Sequence, residues 1–415
     1  MEYDVAVIGG GMAGLTAAVY LHRAGKRVAL IEAQEKVGGR VATEREQGFL
    51  LDRGFQLYFT AYPEGKALLN YATLGFHSFQ RGAYVHNEGG FNKIIDPRDD
   101  LKGFFKTFGS KLLRWGDLLN FMKLAYRLRQ GDYETYVYPG MEAYEALKRY
   151  EMSDRFFEKF VRPFFGGVLL DRTLHAPATL VPPTIEMLMN GQSVLPTGGM
   201  QAIPEQLASK LPADSIFLGR KVIDLEPGGV HLDGEVHIRT PIRLIACDVH
   251  GAAYLLKKPP PQPGRTVQCA YFAAPVSPAE ERLIVFNGDS KGVINHLAVL
   301  SDINPSYSPP GTSLISVTVL GSEGDPSAIL RELKSWYGDQ VKQWEFIKNY
   351  TILNAHPRDY PASLVNERQG YRIAPGLYYC GDYLEAPSIN LAMLTGRRAA
   401  EQILREDEKT LRLGT

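Results

Sequence analysis

The stretch Asp4-Val5-Ala6-Val7-Ile8-Gly9-Gly10-Gly11-Met12-Ala13-Gly14-Leu15 decides the fold. Its first half is a short apolar run with β-branched residues, as expected of a buried strand. Its second half fits G-x-G-x-x-G, with Gly9, Gly11 and Gly14 at the three glycine places. A helix-forming stretch follows from Leu15 to Ala24, closed by Gly25 as a C-cap. Val28-Ala29-Leu30-Ile31 is a second buried-strand run, and Glu32 stands at its end. Each residue type answers a physical need. The first glycine allows the tight strand-to-helix turn, the second lets a pyrophosphate approach the backbone, and the third lets helix and strand pack closely. The helix N-terminus offers free N–H groups and a positive dipole end to phosphates, and Met12 and Ala13, between the glycines, join the phosphate-binding set. Glu32 lies about 20 residues beyond the glycines, where a carboxylate accepts hydrogen bonds from a ribose diol. A glycine turn alone is weak evidence. Strand, turn, helix and acid together read as a dinucleotide clamp.

Composition sets the outer bounds. At 415 residues, two domains are the default. The 46 basic and 46 acidic residues cancel, so no overall field favours nucleic acid and no such partner is expected. Three cysteines, Cys247, Cys269 and Cys380, show no C-x-x-C spacing, which points to a reducing compartment. The histidines form no i, i+4 pair flanked by acids, so no metal site is expected. No apolar run approaches membrane-spanning length, and the first strand begins too early to leave room for a signal peptide. The expected location is cytoplasmic, with peripheral membrane association as the alternative.

After Glu32 come Ala33-Gln34-Glu35-Lys36-Val37-Gly38-Gly39-Arg40. An acid, a short loop and Gly-Gly-Arg resemble the second motif of the FAD-dependent amine oxidase superfamily. That group includes amine oxidases, protoporphyrinogen oxidases and phytoene or carotenoid desaturases. The resemblance implies FAD as cofactor and an α/β fold: a Rossmann-like FAD-binding domain of the GR2 type, with an interleaved α+β substrate domain containing an antiparallel sheet. Gly38 and Gly39 would bring backbone close to the phosphate and ribityl region, and Arg40 would supply a fixed charge near the diphosphate. Ala33 joins this set beside Glu32. Asp52-Arg53-Gly54-Phe55 matches the superfamily's Asp-x-Gly stretch along the flavin ring at Asp52 and Gly54, with Arg53 a departure, and a plain β-turn is the alternative. Gly54 and Phe55 are assigned to the cofactor, and Gln56 and Tyr58 are candidates to face the ring. Pro196-Thr197-Gly198-Gly199-Met200 is similar to the turn that brings the chain back to the FAD domain, which makes Met200 another candidate. By the same resemblance Val222 would pair its backbone with the adenine. An inward strand residue explains it equally. Near the C-terminus, Gly381-Asp382 followed by Pro387-Ser388-Ile389-Asn390 resembles the C-terminal flavin motif. Asp382 would accept from ribityl hydroxyls. Ser388, Ile389 and Asn390 would begin a helix aimed at the flavin pyrimidine edge.

The chain between these motifs is read from composition. Residues 62–187 are rich in Phe, Tyr, Leu, Lys and Arg with helical periodicity. Within them, residues 101–129 are basic and amphipathic with Asp117 the one acid. A domain-surface helix is the preferred reading, and contact with a membrane interface the alternative. Arg155 to Leu170 is a dense aromatic patch in which Pro163 ends a helix and Gly166-Gly167 turn the chain, fit either for a core or for an apolar tunnel wall. Residues 217–232 read as a β-meander ending in the run Leu244 to Cys247. Val267–Phe272, Leu283–Phe286, His296–Leu300 and Leu314–Leu320 suggest the antiparallel sheet, and Pro326 to Tyr337 a helix. The FAD-binding domain is thus expected at 1–60, 195–262 and 368–415, and the substrate domain at 61–194 and 263–367.

The reaction implied is removal of hydride from a largely apolar small molecule, as in desaturases or protoporphyrinogen oxidases, with oxygen or a quinone as acceptor. A flavin amine oxidase is the alternative. That branch typically has paired aromatics, one of them just before the last helix, and a lysine near the flavin. Residues 386–391 contain no aromatic, and Lys291 is a guess for the lysine. A polyene isomerase, or a non-enzymatic lipid escort like the Rab GDP-dissociation inhibitors, shares the architecture. No catalytic acid or base is assigned.

Overall fold

The computed structural model describes residues 2–107, 112–117, 119, 120, 123, 126, 140–358 and 370–413. The apolar run Val5–Ile8 forms a strand hydrogen-bonded in parallel to Val28–Ile31 on one side and Ile242–Ile245 on the other. The six-stranded sheet around it runs Ile216–Phe217, Val28–Ile31, Val5–Ile8, Ile242–Ile245, Leu377–Tyr379 and Arg372–Ala374. Only the last of these strands is antiparallel to its neighbour. Strands Val5–Ile8 and Val28–Ile31 are apolar at every position because both faces are covered. Val5 and Val7 point to helices Met12–Arg23 and Ile389–Leu413. Ala6 and Ile8 point to a three-stranded antiparallel sheet of Val222–Glu226, Gly229–Leu232 and His237–Arg239.

Backbone approach at glycines sets this geometry. A Cβ on Gly14 would lie 2.0 Å from the Gly9 carbonyl oxygen, and one on Gly396 2.1 Å from that of Ala13. Gly9, at φ +114°, stands equally tight against Ala246 and Cys247. Helix against strand and helix against helix therefore meet at distances that no side chain permits.

The second sheet has seven strands in the order Glu345–His356, Arg265–Ala274, Ser313–Leu320, Ile294–Val299, Ile284–Asn287, Gly82–Asn87 and Gly90–Ile95. It is antiparallel apart from the pairing of Ile284–Asn287 with Gly82–Asn87. Helix Pro326–Tyr337 covers one face through Ile329 and Leu333. The other face carries Cys269, Tyr271, Ala298 and Leu314 into the core shared with the first sheet.

Several expectations are corrected. The segment read as helical holds the hairpin Gly82–Ile95, whose two-residue turn has Glu88 at φ +52° and Gly89 at φ +76°. Both central residues at positive φ make the type I′ turn that suits strand twist. The meander is the three-stranded sheet alone, because its flanks at Phe217 and Leu244 belong to the parallel sheet. Pro163 does not end a helix. A π-turn at Phe157–Val161 leads into helix Arg162–Leu169, where Pro163 occupies the first turn and needs no N–H bond. Gly166 and Gly167 lie inside that helix. A Cβ on Gly167 would sit 3.2 Å from His296 Nδ1, so the glycine sets the helix close on the second sheet. Of the basic stretch 101–129, residues 108–111, 118, 121, 122, 124, 125 and 127–129 lie outside the described residues. Among the described residues no helix is long and apolar enough to cross a membrane.

Asp52 ties its hairpin, Thr43–Glu46 with Phe49–Asp52, to the turn at Met200 and to the seven-stranded sheet. Its carboxylate accepts from Thr43 Oγ1 at 2.5 Å, Met200 N at 3.0 Å and Tyr307 Oη at 2.8 Å. Its carbonyl accepts from Tyr271 Oη at 2.7 Å. Burial raises its carboxyl from 3.8 to about 6, against the lowering effect of those donors. The folded state therefore holds the proton at pH values where the unfolded chain has released it. This contribution is full below about pH 4 and is lost as pH rises through 6, about 3 kcal/mol in all. Relative to the native chain, Asp52→Asn should gain stability by about that amount between pH 4 and 7 in denaturant titrations. A difference that stays flat over that range would contradict the assignment.

Candidate functional site

A cavity of about 1110 Å³ runs between the nucleotide-type sheet and the seven-stranded sheet. Gly9, Gly11, Met12 and Ala13 line it at the first turn, and Glu32 and Ala33 at the end of the second strand. Gly38, Gly39 and Arg40 follow along the wall, then Gly54, Phe55 and Gln56. Val222 closes one side, and Gly381, Asp382, Ser388 and Ile389 another. Residues more than 300 positions apart in the chain thus meet at one surface.

Local chemistry places each group. Glu32 is 8% exposed, and its carboxylate accepts from Gly10 N at 2.7 Å and Gln34 N at 2.8 Å. Those bonds orient the carboxylate and leave lone pairs for further donors. Gly11 has φ −75°, and a Cβ there meets nothing within 4 Å, so its bare backbone faces the cavity. Arg40 donates to Asp382 Oδ1 at 2.6 Å and to the Ala355 carbonyl at 2.9 Å. The Asp382 carboxylate holds the guanidinium above its ordinary pKa, while 41% of the Arg40 side chain stays exposed. Ser388 caps the last helix by accepting from Leu391 N at 3.1 Å. His356, also on the wall, is pushed down to about 4 by burial and by Arg40, so it is neutral near pH 7.

The far end is apolar. Phe156 and Phe160 stack at 5.3 Å and 28°, and Phe160 and Phe164 at 5.9 Å and 20°. Phe286 meets Phe160 and Phe164 edge-on. All of them line the cavity together with Phe165.

Five expected residues lie elsewhere. Gly14 stands behind the turn against Gly9. Asn390 turns away and accepts from Glu64 N at 3.2 Å. Tyr58 is fully buried with its hydroxyl 3.0 Å from that of Tyr71. Alternation along the extended chain brings Leu57 and Phe59 to the cavity in its place. Met200 is fully buried in the turn tied to Asp52. Lys291 is exposed in the turn between strands Ile284–Asn287 and Ile294–Val299. Conversely, His296, Thr318 and Ile352 line the cavity from strands that carried no motif.

The arrangement fits FAD. A Cβ-free turn at a helix N-terminus suits a diphosphate, Glu32 suits a ribose diol, and Arg40 suits an anion. The profile of a protein family described as flavin containing amine oxidoreductase matches residues 12–404. Putrescine oxidase from Kocuria rosea is 27% identical over 237 residues, 54% of this chain and 49% of that protein. Carotenoid 3,4-desaturase from Haloarcula japonica is 47% identical over 55 residues, 13% of this chain and 11% of that protein. The matches thus span about half the length, or less, of these curated relatives. The crystal structure of an oxidoreductase from Methanosarcina mazei superposes with a TM-score of 0.75 at 20% identity, covering 97% of this chain and 100% of that one.

Two glycine variants separate cradle from scaffold. Gly11→Val should keep the fold and lower FAD occupancy at least about tenfold, since its side chain would enter the cavity where the diphosphate approaches. Gly14→Val should instead lower thermal stability by several degrees, because the helix must move off the strand. Melting curves and the ratio of flavin to protein absorbance check both. Full flavin occupancy in Gly11→Val would show that the turn does not hold the cofactor.

Proposed function

Because the chain belongs to the family of flavin containing amine oxidoreductases and its cofactor is FAD, we propose that it is an FAD-dependent oxidoreductase acting on a largely apolar substrate, desaturase-like or protoporphyrinogen oxidase-like. The observation that carries this reading is the stacked wall of Phe156, Phe160 and Phe164. Bound FAD would supply acceptance of a hydride equivalent, with oxygen or a quinone taking the electrons onward. The protein's own part is to bind and exclude water. Glu32, the Gly9–Ala13 turn, Arg40 and Asp382 hold the nucleotide end. Arg53, Phe55 and Gln56 line the passage between the two ends, and the phenylalanines desolvate the substrate. The same reading assigns residues 1–60, 195–262 and 368–415 to the cofactor domain, and 61–194 and 263–367 to the substrate domain. The exposed side chains of Trp115, Leu119 and Tyr126 in the basic stretch support delivery of such a substrate from a membrane surface.

A second reading, amine oxidation, is supported by the putrescine oxidase match. The acids on the cavity wall speak against it. Among the described lining residues, Asp96 pairs with Arg98 and Asp382 with Arg40. Glu32 stands at the nucleotide end beside the first glycine turn, and Asp248 lies there too, close to the Arg40 charge. None of the four is left to receive a desolvated ammonium at the aromatic end. The isomerase and escort alternatives part from both in that neither yields net turnover of an oxidant.

The test is the visible spectrum of the purified protein, followed anaerobically during additions. The expected outcome is a yellow protein bleached by a polyene or a porphyrinogen and not by primary amines. Bleaching by amines alone would replace this reading with the second. A protein that takes up no flavin would overturn both.

A further inference from the structure

The apolar end of the cavity contains one place where polar atoms are left without partners. Among the described residues that line the cavity, those with a buried unpartnered side-chain atom are Arg81 at Nε, His296 at Nε2 and Thr318 at Oγ1. Arg81 is already committed through its terminal nitrogen to Asp99 at 2.6 Å. The other two atoms pair across one strand contact: His296 Nε2, on a ring held only through Nδ1, and Thr318 Oγ1 have no partner. The two residues sit opposite each other on neighbouring strands of the second sheet, 5% and 2% exposed. Around them are rings: Phe55 lies 4.8 Å from the imidazole centroid and Phe286 5.8 Å. A buried donor or hydroxyl without a partner bears the uncompensated cost of its desolvation. A fold that needed only an apolar lining here would do better with Leu and Val.

The imidazole's hydrogen can be placed. Asn295 Nδ2 lies 3.1 Å from the Pro163 carbonyl, which only accepts, so the amide must present its NH₂ group on that side. The same Nδ2 lies 3.0 Å from His296 Nδ1, which therefore accepts its second hydrogen. The ring is neutral, because burial without a carboxylate partner pushes it down to about 3. A neutral ring with Nδ1 accepting carries its hydrogen on Nε2. The strand pair thus presents a fixed N–H donor beside a hydroxyl that both donates and accepts.

We propose that His296 Nε2 and Thr318 Oγ1 anchor a neutral oxygen, a hydroxyl or a carbonyl, carried by the otherwise apolar substrate. The inference rests on the apolar-substrate reading and sharpens it. A substrate hydroxyl would accept from Nε2–H and donate to Oγ1, whereas a carbonyl would accept from both. An ammonium offers only hydrogens to an N–H that cannot accept. A carboxylate would lose its hydration to a neutral ring and a hydroxyl, neither of which carries a compensating charge. The anchor therefore selects chemical class as well as orientation. Gly167 serves it by letting helix Arg162–Leu169 settle against the Asn295–His296 pair.

The experiment titrates the FAD-loaded protein with five probes of one chain length: dodecane, 1-dodecanol, 2-dodecanone, dodecylamine and dodecanoate. Binding is read from the perturbed flavin spectrum. The alcohol and ketone should bind about tenfold more tightly than dodecane, as one or two net hydrogen bonds allow. Thr318→Val, close in shape, should remove most of that advantage and leave dodecane affinity unchanged. His296→Phe should do the same. If His296→Phe fails to retain flavin, Thr318→Val alone decides. Equal binding of dodecane and dodecanol, or an advantage that survives Thr318→Val, would overturn the anchor while sparing the apolar reading. Tightest binding of dodecylamine, or no binding by any apolar probe, would overturn both.

Discussion

Three contacts between bare backbones hold the molecule's geometry: Gly14 on Gly9, Gly9 on Ala246, and Gly396 on Ala13. They bring one helix down onto the central strand and a second helix across the first. The consequence for chemistry is direct. The first helix begins at the cavity wall with its N–H groups unspent, and the second starts there too, just after Asp382. Arg40 then bridges the two ends of the chain through its bond to Asp382. Separating these backbones by the width of a methyl group would loosen the core on which the cradle is built.

The second constraint is polar. Asp52 is 1% exposed and tied to four elements: the Thr43–Asp52 hairpin, the turn at Met200, strand Arg265–Ala274 through Tyr271, and Tyr307. A buried carboxyl of this kind is weak evidence for stability, because desolvation offsets much of what its hydrogen bonds contribute. Its consequence is positional. It fixes the loop Arg53–Leu57 where the two sheets face each other, and that loop forms the wall between the polar and aromatic halves of the cavity.

The cavity runs from charge to oil. At one end glycine backbone, Glu32 and Arg40 suit a dinucleotide, and at the other stacked phenylalanines suit a substrate that water would not carry. The transition passes through Phe55, whose ring touches His296. On the function proposed above, this gradient would join the family's flavin chemistry to an apolar substrate class. It also places the few polar atoms of the apolar half where they can discriminate between substrates.

Much of this was legible in the residue order. The strand–glycine–helix–acid series fixes a dinucleotide cradle because its requirements are local: backbone freedom at Gly9, close approach at Gly14, and a helix N-terminus within a few residues. The Gly-Gly-Arg and Gly-Asp motifs are similarly local, and both line the cavity. Other features were present but misread. Glu88-Gly89 is a hairpin turn inside a stretch whose composition suggested helix, and Pro163 is as well suited to a helix's first turn as to its end. What only tertiary structure decided is which face each side chain takes and what stands opposite it. Tyr58 and Phe59 differ by one position, and alternation sends one to the core and the other to the cavity. Met200 follows its motif yet ends in the joint at Asp52. His296 and Thr318 carry no motif, and their meaning arises from strand register and from an amide oriented by the Pro163 carbonyl. Such relations depend on distances across the fold, which no local pattern encodes.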